Sequence, residues 1–220
     1  MALAIFDLDN TLLRGDSDYL WGIYLIDKEA VDAEQHRQEN ERFYEQYLAG
    51  QMDIMEFLRF QLAPLARIPN PELLQMREDF IERYIKPIIT AQALELVETH
   101  RKRGDTLLII TATNDFVTRP IADLFGIDEL IATRAEYAGG HYTGNVTGIP
   151  SYQQGKVTRL HDWLDKTENS LQDSWFYSDS HNDLPLLKEV DNPVAVNPDP
   201  QLSAYAKQAG WQVIHLADPA

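Results

Sequence analysis

The 220-residue sequence contains no cysteine. Disulfide bonds, thiol catalysis and zinc sites built from thiolates are therefore excluded. The sequence also lacks any apolar run near the ~20 residues that a membrane-spanning helix needs. Asp7 interrupts the N-terminal apolar stretch, where a signal peptide would carry its hydrophobic region. These absences predict a soluble, cytoplasmic protein that has no membrane partner.

Basic residues are scarce as well. The chain has 19 Lys and Arg against 35 Asp and Glu, which gives a formal net charge of −16. Such a charge repels the phosphate backbone of nucleic acids, so a nucleic-acid partner is not expected. The densest basic run, His100–Arg103, is typical of the last turn of a helix. If an acidic protein of this kind handles a phosphate group, it needs a cation to do so.

The hydrophobic pattern changes twice along the chain. Leu3–Asp7 is short and apolar, which predicts a buried strand. Residues 16–87 carry apolar side chains at helical spacing and predict an all-helical block. Strands and helices alternate from there on, which predicts a parallel sheet with helices on both faces. We therefore expect an α/β, Rossmann-like core of residues 1–15 and 88–220, and a small helical cap domain of residues 16–87 inserted after the first strand.

Short apolar runs mark further strands of this sheet. Leu107–Ile110 predicts a strand that ends at Thr111, and Thr143-Gly144 predicts the turn of a hairpin. Trp175–Tyr177 and Pro193–Val196 predict two more strands. Ligands of such sheets bind at the carboxyl ends of the strands, so the residues that follow each run are the candidates for a functional site.

Three of these strands end in polar clusters, FDLDNT, IITATND and FYSDSHNDLP. The carboxyl ends of parallel neighbours meet at one edge of a sheet, so we expect the three clusters to converge. The pair Gly155-Lys156, at the predicted start of a helix, would add a cation. Together these segments supply carboxylates, a threonine, an amide and a lysine.

This set of side chains suits phosphate chemistry. Asp7 and Asp179 are hard oxygen ligands of the kind that Mg²⁺ prefers, and Asp7 is also a candidate carboxylate nucleophile. Asp9 is placed to give a proton to a leaving oxygen and then to take one from water. Thr111 and the amides after it are candidates for holding phosphate oxygens, and Lys156 for neutralising their charge.

The four segments DLDNT, TAT, GK and SDSHND resemble, in order and in context, the four motifs of the haloacid dehalogenase superfamily of phosphatases. The resemblance implies Asp7 as nucleophile, Asp9 as general acid/base, and Mg²⁺ held by Asp7, the main-chain carbonyl of Asp9, and Asp179. It implies further roles for the residues around them: Thr111, Ala112 and Lys156 as phosphate ligands, Thr11 and Asp183 in support, and Asn182 facing the substrate.

The helical insertion is similar to the cap of the subgroup that includes phosphoserine phosphatase and proteins assigned as histidinol-phosphate phosphatases. Asp16 stands where phosphoserine phosphatases carry a glutamate that faces the substrate amine. Gln61, with Arg59 nearby, stands where they carry an arginine that binds the serine carboxylate. The missing arginine argues against phosphoserine, and the acids Asp16 and Asp18 favour a substrate with a cationic amine. We therefore take Asp16, Asp18 and Arg59 as candidate substrate contacts.

Each of these cap residues also has an ordinary structural interpretation. The sequence GDSD is typical of a helix N-terminus, and Arg59 is typical of an exposed helix surface. The favoured function is a Mg²⁺-dependent hydrolase of a small phosphomonoester such as histidinol phosphate, acting as a monomer or homodimer. Phosphoserine hydrolysis, phosphoryl transfer to another hydroxyl, and non-catalytic binding of a phosphorylated ligand remain alternatives.

Overall fold

The structure is a computed structural model that describes residues 2–216. Within those residues seven strands form one sheet, in the order β4-β3-β2-β1-β5-β6-β7. The strands are β1 Leu3–Phe6, β2 Thr106–Asn114, β3 Glu129–Ala138, β4 His141–Thr147, β5 Trp175–Ser178, β6 Asn192–Val196 and β7 Gln212–Ile214.

Four helices follow β1, and the others alternate with the later strands. The α-helices are α1 Ser17–Asp27, α2 Ala33–Leu48, α3 Ile54–Arg67, α4 Asn70–Phe80, α5 Ala91–Arg103, α6 Asp115–Leu124, α7 Gln154–Leu164, α8 Leu184–Leu187 and α9 Pro200–Ala209. A π-helical turn, Ile81–Ile85, and a 3₁₀ turn, Lys86–Ile88, lead from α4 to α5, and a second 3₁₀ turn, His181–Asp183, precedes α8. No helix within residues 2–216 combines the length and apolar character needed to cross a bilayer.

Strand β1 lies at the centre of the sheet. It pairs in parallel with β2 on one side and β5 on the other, and the register places Phe6 beside Ile109 and Tyr177. Strands β3, β6 and β7 continue the parallel order, whereas β4 is antiparallel to β3. The residues that follow β1, β2 and β5 therefore leave the sheet at the same edge.

Alternate residues of β1 are buried on opposite faces of the sheet. Ala4 and Phe6 lie in a hydrophobic cluster with residues of α5 and α6, whereas Leu3 and Ile5 lie in a second cluster with residues of α7 and α9. A strand covered on both faces is apolar at every position, which explains the run LAIF. The predicted α/β fold, a Rossmann-like and mostly parallel sheet with helices on both faces, is confirmed.

The four helices after β1, here called the insertion helices (α1–α4), pack directly on this core. The Trp21 ring of α1 meets Phe80 of α4 and Phe116 of α6, with ring centroids 5.1 and 5.7 Å apart. Leu62 of α3 belongs to the same hydrophobic cluster as Phe6 of β1. The sheet and the insertion helices thus share a continuous apolar interior. The division into domains at residues 16 and 87 stays a prediction.

Strand β2 is longer than the sequence predicts. It does not end at Thr111 but continues to Asn114, and its pairing with β3 shifts register after Ile110. The residues beyond Thr111 include the β-branched Thr113, and β-branched side chains favour extended backbone. Such an irregularity near the end of a strand redirects side chains, and it does so beside the predicted site.

The β3–β4 hairpin turns at Gly139-Gly140 and not at Thr143-Gly144, so that prediction is wrong. Gly139 and Gly140 have φ of 60° and 86°, which glycine adopts without strain. Gly144 lies inside β4 and against α3, where an added Cβ would come within 3.3 Å of the Ala66 Cβ. The glycine that indicates a turn in the sequence therefore permits a close contact between a strand and a helix.

A buried histidine ties α5 to β5. His100 is 1% exposed, its Nδ1 lies 2.9 Å from Asp105 Oδ2, and its Nε2 lies 2.8 Å from the Tyr177 hydroxyl. Burial lowers the pKa of His100, although the bond to Asp105 raises it. The folded protein therefore prefers the neutral ring, and the unfolded chain binds a proton more readily. Above pH 6.5 the ring is neutral in both states, and its contribution to the free energy of unfolding is fully present. Below pH 6.5 the unfolded chain binds the proton first, so the free energy of unfolding falls.

We expect His100→Gln to lower the free energy of unfolding by about 1–3 kcal/mol at pH 7.5, because it disrupts a buried hydrogen-bonded group. At pH 5.5 the difference from wild type should narrow by up to about 1.4 kcal/mol, because only the wild type must keep a histidine neutral. Urea unfolding of both proteins at the two pH values measures this. An equal difference at both would contradict the assignment.

Candidate active site

A buried lysine lies between two buried carboxylates at the carboxyl edge of the sheet. Lys156 Nζ donates hydrogen bonds to Asp7 Oδ1 and Asp183 Oδ2, both at 2.7 Å. Burial alone would lower the pKa of Lys156, but the charges of Asp183 and Asp7 outweigh burial and raise this pKa above its ordinary value. Lys156 is therefore charged, and it compensates two carboxylates that would otherwise be strongly destabilising in this position.

The glycine before Lys156 allows α7 to begin close to the preceding loop. A Cβ added at Gly155 would lie 2.1 Å from the carbonyl oxygen of Pro150, a distance that no side chain tolerates. Any larger residue would push the first turn of α7 away from the sheet edge. In the pair Gly155-Lys156, the glycine thus sets the position of the helix and the lysine supplies the charge.

Asp7, Thr11 and Asp179 form a neighbouring group of oxygen atoms. Thr11 Oγ1 lies 3.3 Å from Asp7 Oδ2 and 3.2 Å from Asp179 Oδ1, and it accepts a hydrogen bond from Asp179 N at 3.1 Å. Burial raises the pKa of Asp7 to about 7, against the opposing charge of Lys156. Burial and the charge of Asp7 raise the pKa of Asp179 well above its usual value. One hydroxyl proton cannot satisfy both carboxylates, so this group favours the arrival of a cation.

Asp9 is held in a different environment. Its Oδ1 accepts from Ser17 N at 2.6 Å, and its Oδ2 accepts from Thr113 Oγ1 at 2.8 Å. Thr111 Oγ1 lies 3.4 Å from the same Oδ2. Burial and the nearby charge of Asp16 raise the pKa of Asp9 to about 6, although the bonds from Ser17 and Thr113 lower it. A carboxyl group that titrates near neutrality can act as an acid in one step and a base in the next.

Two hydroxyl groups donate hydrogen bonds to these acids. Both belong to the sequence motifs, but the sequence analysis assigned them no role. Thr113 donates to Asp9, as described, and Ser178 Oγ donates to Asp183 Oδ2 at 2.7 Å. A signal for Thr113 is present in the sequence, because residues two apart in a strand face the same side, and Thr113 is two residues after Thr111. Ser178 has only its place at the strand end to indicate a role.

A cavity joins Asp7, Asp9 and Asp183 at the sheet edge to the insertion helices, whereas Asp179 lines a separate pocket. The cavity has an empty volume of about 670 Å³, including the opening to solvent. The sheet side carries the predicted catalytic and phosphate-binding residues Asp7, Asp9, Thr111, Ala112 and Lys156. The insertion helices and the loop after α2 add a largely aromatic wall of Tyr19, Phe43, Tyr44, Tyr47, Met52 and Phe57. Among the described residues, Lys156 is the only Lys or Arg in this lining.

Asp16 and Asp18 both line the cavity, and each already has a protein partner. Asp16 caps α1, because its side chain accepts from Tyr19 N at 2.8 Å. Asp18 Oδ1 accepts from Asn114 Nδ2 at 3.3 Å. Burial raises the pKa of both carboxyl groups. Asp16 therefore has the structural role that its sequence also indicated, and substrate contact by either residue stays a prediction.

Asn182 lines the cavity, but its amide is already engaged. Nδ2 donates to the Tyr47 carbonyl at 3.1 Å, and Oδ1 accepts from Gln153 Nε2 at 2.9 Å. These bonds link the end of α2 to the sheet edge. Asn182 thus joins the insertion helices to the core in this conformation, and its contact with substrate stays a prediction.

Gln61 is part of the cavity lining, whereas Arg59 is exposed on α3 and is not. The two residues are two positions apart on a helix, so their side chains point about 200° away from each other. Gln61 faces the cavity, whereas Arg59 faces away from it. The contact of Arg59 with the substrate stays a prediction that this geometry does not favour.

The oxygen atoms of Asp7 and Asp179 fit a Mg²⁺ ion. Within residues 2–216, no three His, Asp or Glu side chains are grouped so that they could hold a metal ion. Mg²⁺ needs no such group, because it keeps several waters and binds through one or two carboxylates together with substrate oxygens. The raised pKa of Asp7 and of Asp179 indicates that a cation here would be favourable.

Known proteins are similar to this chain in sequence and in fold. Residues 4–188 match the haloacid dehalogenase-like hydrolase family. The chain is 48% identical over 218 residues to the histidinol-phosphatase of Neisseria meningitidis serogroup C (strain 8013), covering 97% of this chain and 98% of that protein. A crystal structure of a protein with unknown function from Bordetella pertussis Tohama I superposes with a TM-score of 0.92 at 44% identity, covering 98% and 99% of the two chains.

A substrate-bound phosphoserine phosphatase superposes with a TM-score of 0.72 at 22% identity, covering 97% of this chain and 92% of that one, which shows a shared fold. The fold and the acids at its edge define a hydrolase of the haloacid dehalogenase-like family, and this chain belongs to that family. Within the family it is a phosphatase, which acts on small phosphoesters.

We expect Lys156→Met to lower kcat at least about 100-fold, because the predicted phosphate site loses its charged donor. Phosphate release from an aryl phosphate measures this. Lys188→Met is a matched control, because Lys188 lies over the Tyr205 ring, 4.8 Å from its centroid, and outside the cavity lining. If circular dichroism shows Lys156→Met to be folded and its kcat equals that of Lys188→Met, the role of Lys156 is wrong.

Proposed function

We propose that this phosphatase is a Mg²⁺-dependent phosphomonoesterase that acts through an aspartyl-phosphate on Asp7. The observation that carries the proposal is that Asp7 and Asp9 line one cavity but have different partners. Asp7 is bound by Lys156, and Asp9 is bound by Thr113 and by the first turn of α1. One carboxyl group can therefore serve as nucleophile while the other carries a proton.

In the first step, an Asp7 carboxylate oxygen forms a bond to phosphorus while the ester bond from phosphorus to the leaving oxygen breaks. The proton of the Asp9 carboxyl group passes to that oxygen, which departs as an alcohol. Lys156, the Thr111 hydroxyl and the Ala112 amide stabilise the negative charge on the other phosphoryl oxygens. The products of this step are the alcohol and the phosphorylated Asp7.

In the second step, a water molecule attacks the phosphorus of the aspartyl-phosphate. The Asp9 carboxylate, left without its proton by the first step, takes a proton from this water. The bond between phosphorus and the Asp7 oxygen breaks, which restores the Asp7 carboxylate and yields inorganic phosphate. The pKa of Asp9, raised to about 6, suits a group that must give a proton and then take one.

Asp7, the main-chain carbonyl of Asp9, and Asp179 would hold the Mg²⁺ ion. Bound there, it would reduce the repulsion between the phosphate dianion and the surrounding acids. Thr11 orients Asp7 and Asp179 through its hydroxyl, and Asp183 fixes Lys156. Both act through their neighbours and need not contact the substrate.

The best supported substrate is a small amino alcohol phosphate such as histidinol phosphate. The aromatic wall of the cavity suits a flat ring, and the nearby acids Asp16 and Asp18 suit an ammonium group. A substrate carboxylate would find no Lys or Arg among the described lining residues other than Lys156. The 48% identical relative named histidinol-phosphatase supports the same substrate. The expected cytoplasmic location and the monomeric or homodimeric state stay predictions.

The wild type should release phosphate from histidinol phosphate faster than from phosphoserine or sugar phosphates. Asp7→Asn should lower kcat at least about 1,000-fold, because an amide is a poor nucleophile. Colorimetric phosphate assays over this panel measure both expectations. Asp162→Asn, which alters an exposed acid on α7, is the control and should behave like wild type. Equal turnover by Asp7→Asn and wild type would exclude the aspartyl-phosphate mechanism. A clear preference of the wild type for phosphoserine would exclude histidinol phosphate as the preferred substrate.

Addition of Mg²⁺ to metal-free protein should raise the melting temperature by roughly 5 to 10 °C at about 100 times the Kd, because the ion binds the folded state alone. Asp179→Asn should lose most of this increase, since it removes one of the two carboxylates. Differential scanning fluorimetry with and without chelator measures the change independently of turnover. An unchanged increase in Asp179→Asn would place the ion elsewhere.

A further inference from the structure

Gln61 has a buried amide oxygen without a hydrogen-bond partner. The residue is 1% exposed and lines the cavity, and nothing in the described structure donates to its Oε1. The other end of the amide is fixed, because Nε2 donates to the Asp18 main-chain carbonyl at 3.4 Å. Turning the amide over would bring two acceptor oxygens together. Oε1 is therefore held as an acceptor for which the protein provides no donor.

Asp18, whose main-chain carbonyl accepts from Gln61, also lines the cavity, and this residue is 5% exposed. Its Oδ1 accepts a long bond from Asn114 Nδ2, the Thr113 hydroxyl is also within hydrogen-bonding reach of the carboxyl group, and Lys156 is the only Lys or Arg among the described lining residues. Lys156 is already shared by two other carboxylates. This end of the cavity thus presents acceptors, and it calls for hydrogen-bond donors on the ligand.

An aromatic surface lies directly beside this acceptor. Phe57 precedes Gln61 by four residues, so the two side chains are neighbours on one face of α3. The Phe57 ring packs against Phe43 of α2, with centroids 5.3 Å apart, and both residues line the cavity. A ligand that carries an N–H donor next to a ring would match both features.

We propose that Gln61 and Asp18 form an acceptor pair that binds the ammonium group of the substrate, with Gln61 as a residue that determines specificity. The inference rests on the proposed phosphatase function and assigns its selectivity to these two side chains. A substrate without an ammonium group leaves Oε1 unpaired, and a substrate carboxylate is also repelled by Asp18. The pair therefore favours substrates that carry an ammonium group and disfavours substrates that carry a carboxylate at the same position.

Gln61→Met tests the inference, because methionine has a similar volume and no amide. The quantity to measure is the ratio of kcat/KM for histidinol phosphate to that for its analogue without the amine. We expect a wild-type ratio of roughly 10 to 100, as for one hydrogen bond to a charged group, and a ratio at least about 5-fold lower in Gln61→Met, where Asp18 alone remains.

Gln46→Met is the matched control. Gln46, on α2, also has a buried and unpartnered Oε1, but it does not line the cavity. It should keep the wild-type ratio of kcat/KM. If both variants keep that ratio, or if both lose it, Gln61 has no specific part in substrate choice and the inference is overturned.

A binding measurement separates this inference from the proposed function. Calorimetry with histidinol and with its analogue lacking the amine, each in the presence of inorganic phosphate, needs no turnover. Wild type should bind histidinol roughly 10-fold more tightly or better, and this preference should be at least about 5-fold smaller in Gln61→Met. Equal binding of the two by wild type overturns the acceptor pair. Selective binding without hydrolysis of histidinol phosphate would leave the pair supported and overturn the proposed function alone.

Discussion

Lys156 keeps its charge at a place where burial alone would remove it. It does so because Asp7 after β1 and Asp183 after β5 both lie 2.7 Å from its ammonium group. Removing one partner of such a buried pair typically costs about 3–5 kcal/mol. This interaction therefore fixes the start of α7 relative to the ends of β1 and β5. The other site residues lie on these same segments or next to them.

The same interaction leaves little positive charge free for a phosphate group in a protein with a net charge of −16. Lys156 balances the negative charges of Asp7 and Asp183. The Asp179 carboxyl group, by contrast, contacts the uncharged Thr11 hydroxyl, and burial raises its pKa. The site thus holds more negative charge than its lysine can balance before any substrate arrives. An added cation and a protonated Asp9 would each reduce this excess, and the proposed reaction uses both.

The strand-end acids could be predicted from the sequence because their signals are local, whereas their surroundings depend on packing. Leu3–Phe6 is buried on both faces, and the residues after such a strand must leave at the ligand-binding edge. The role of Gly144 depends on where α3 crosses β4, which no local pattern encodes. The choice between Arg59 and Gln61 could not be predicted from helical spacing. Leu58, Leu62 and Leu65 form the buried stripe of α3, and Gln61 and Arg59 flank it on its two sides. Which side faces the cavity depends on how α3 packs.

A chain of hydrogen bonds connects the insertion helices to Asp9, the proposed general acid and base. Gln61 donates to the Asp18 carbonyl, and the Asp18 carboxyl group accepts from Asn114 at the end of β2. Thr113, adjacent to Asn114 on that strand, donates to Asp9. These contacts link the positions of α1 and α3 to the hydrogen bond from Thr113 that Asp9 accepts. Placing the insertion immediately after β1 makes this possible, because the segment that carries Asp7 and Asp9 continues without interruption into α1.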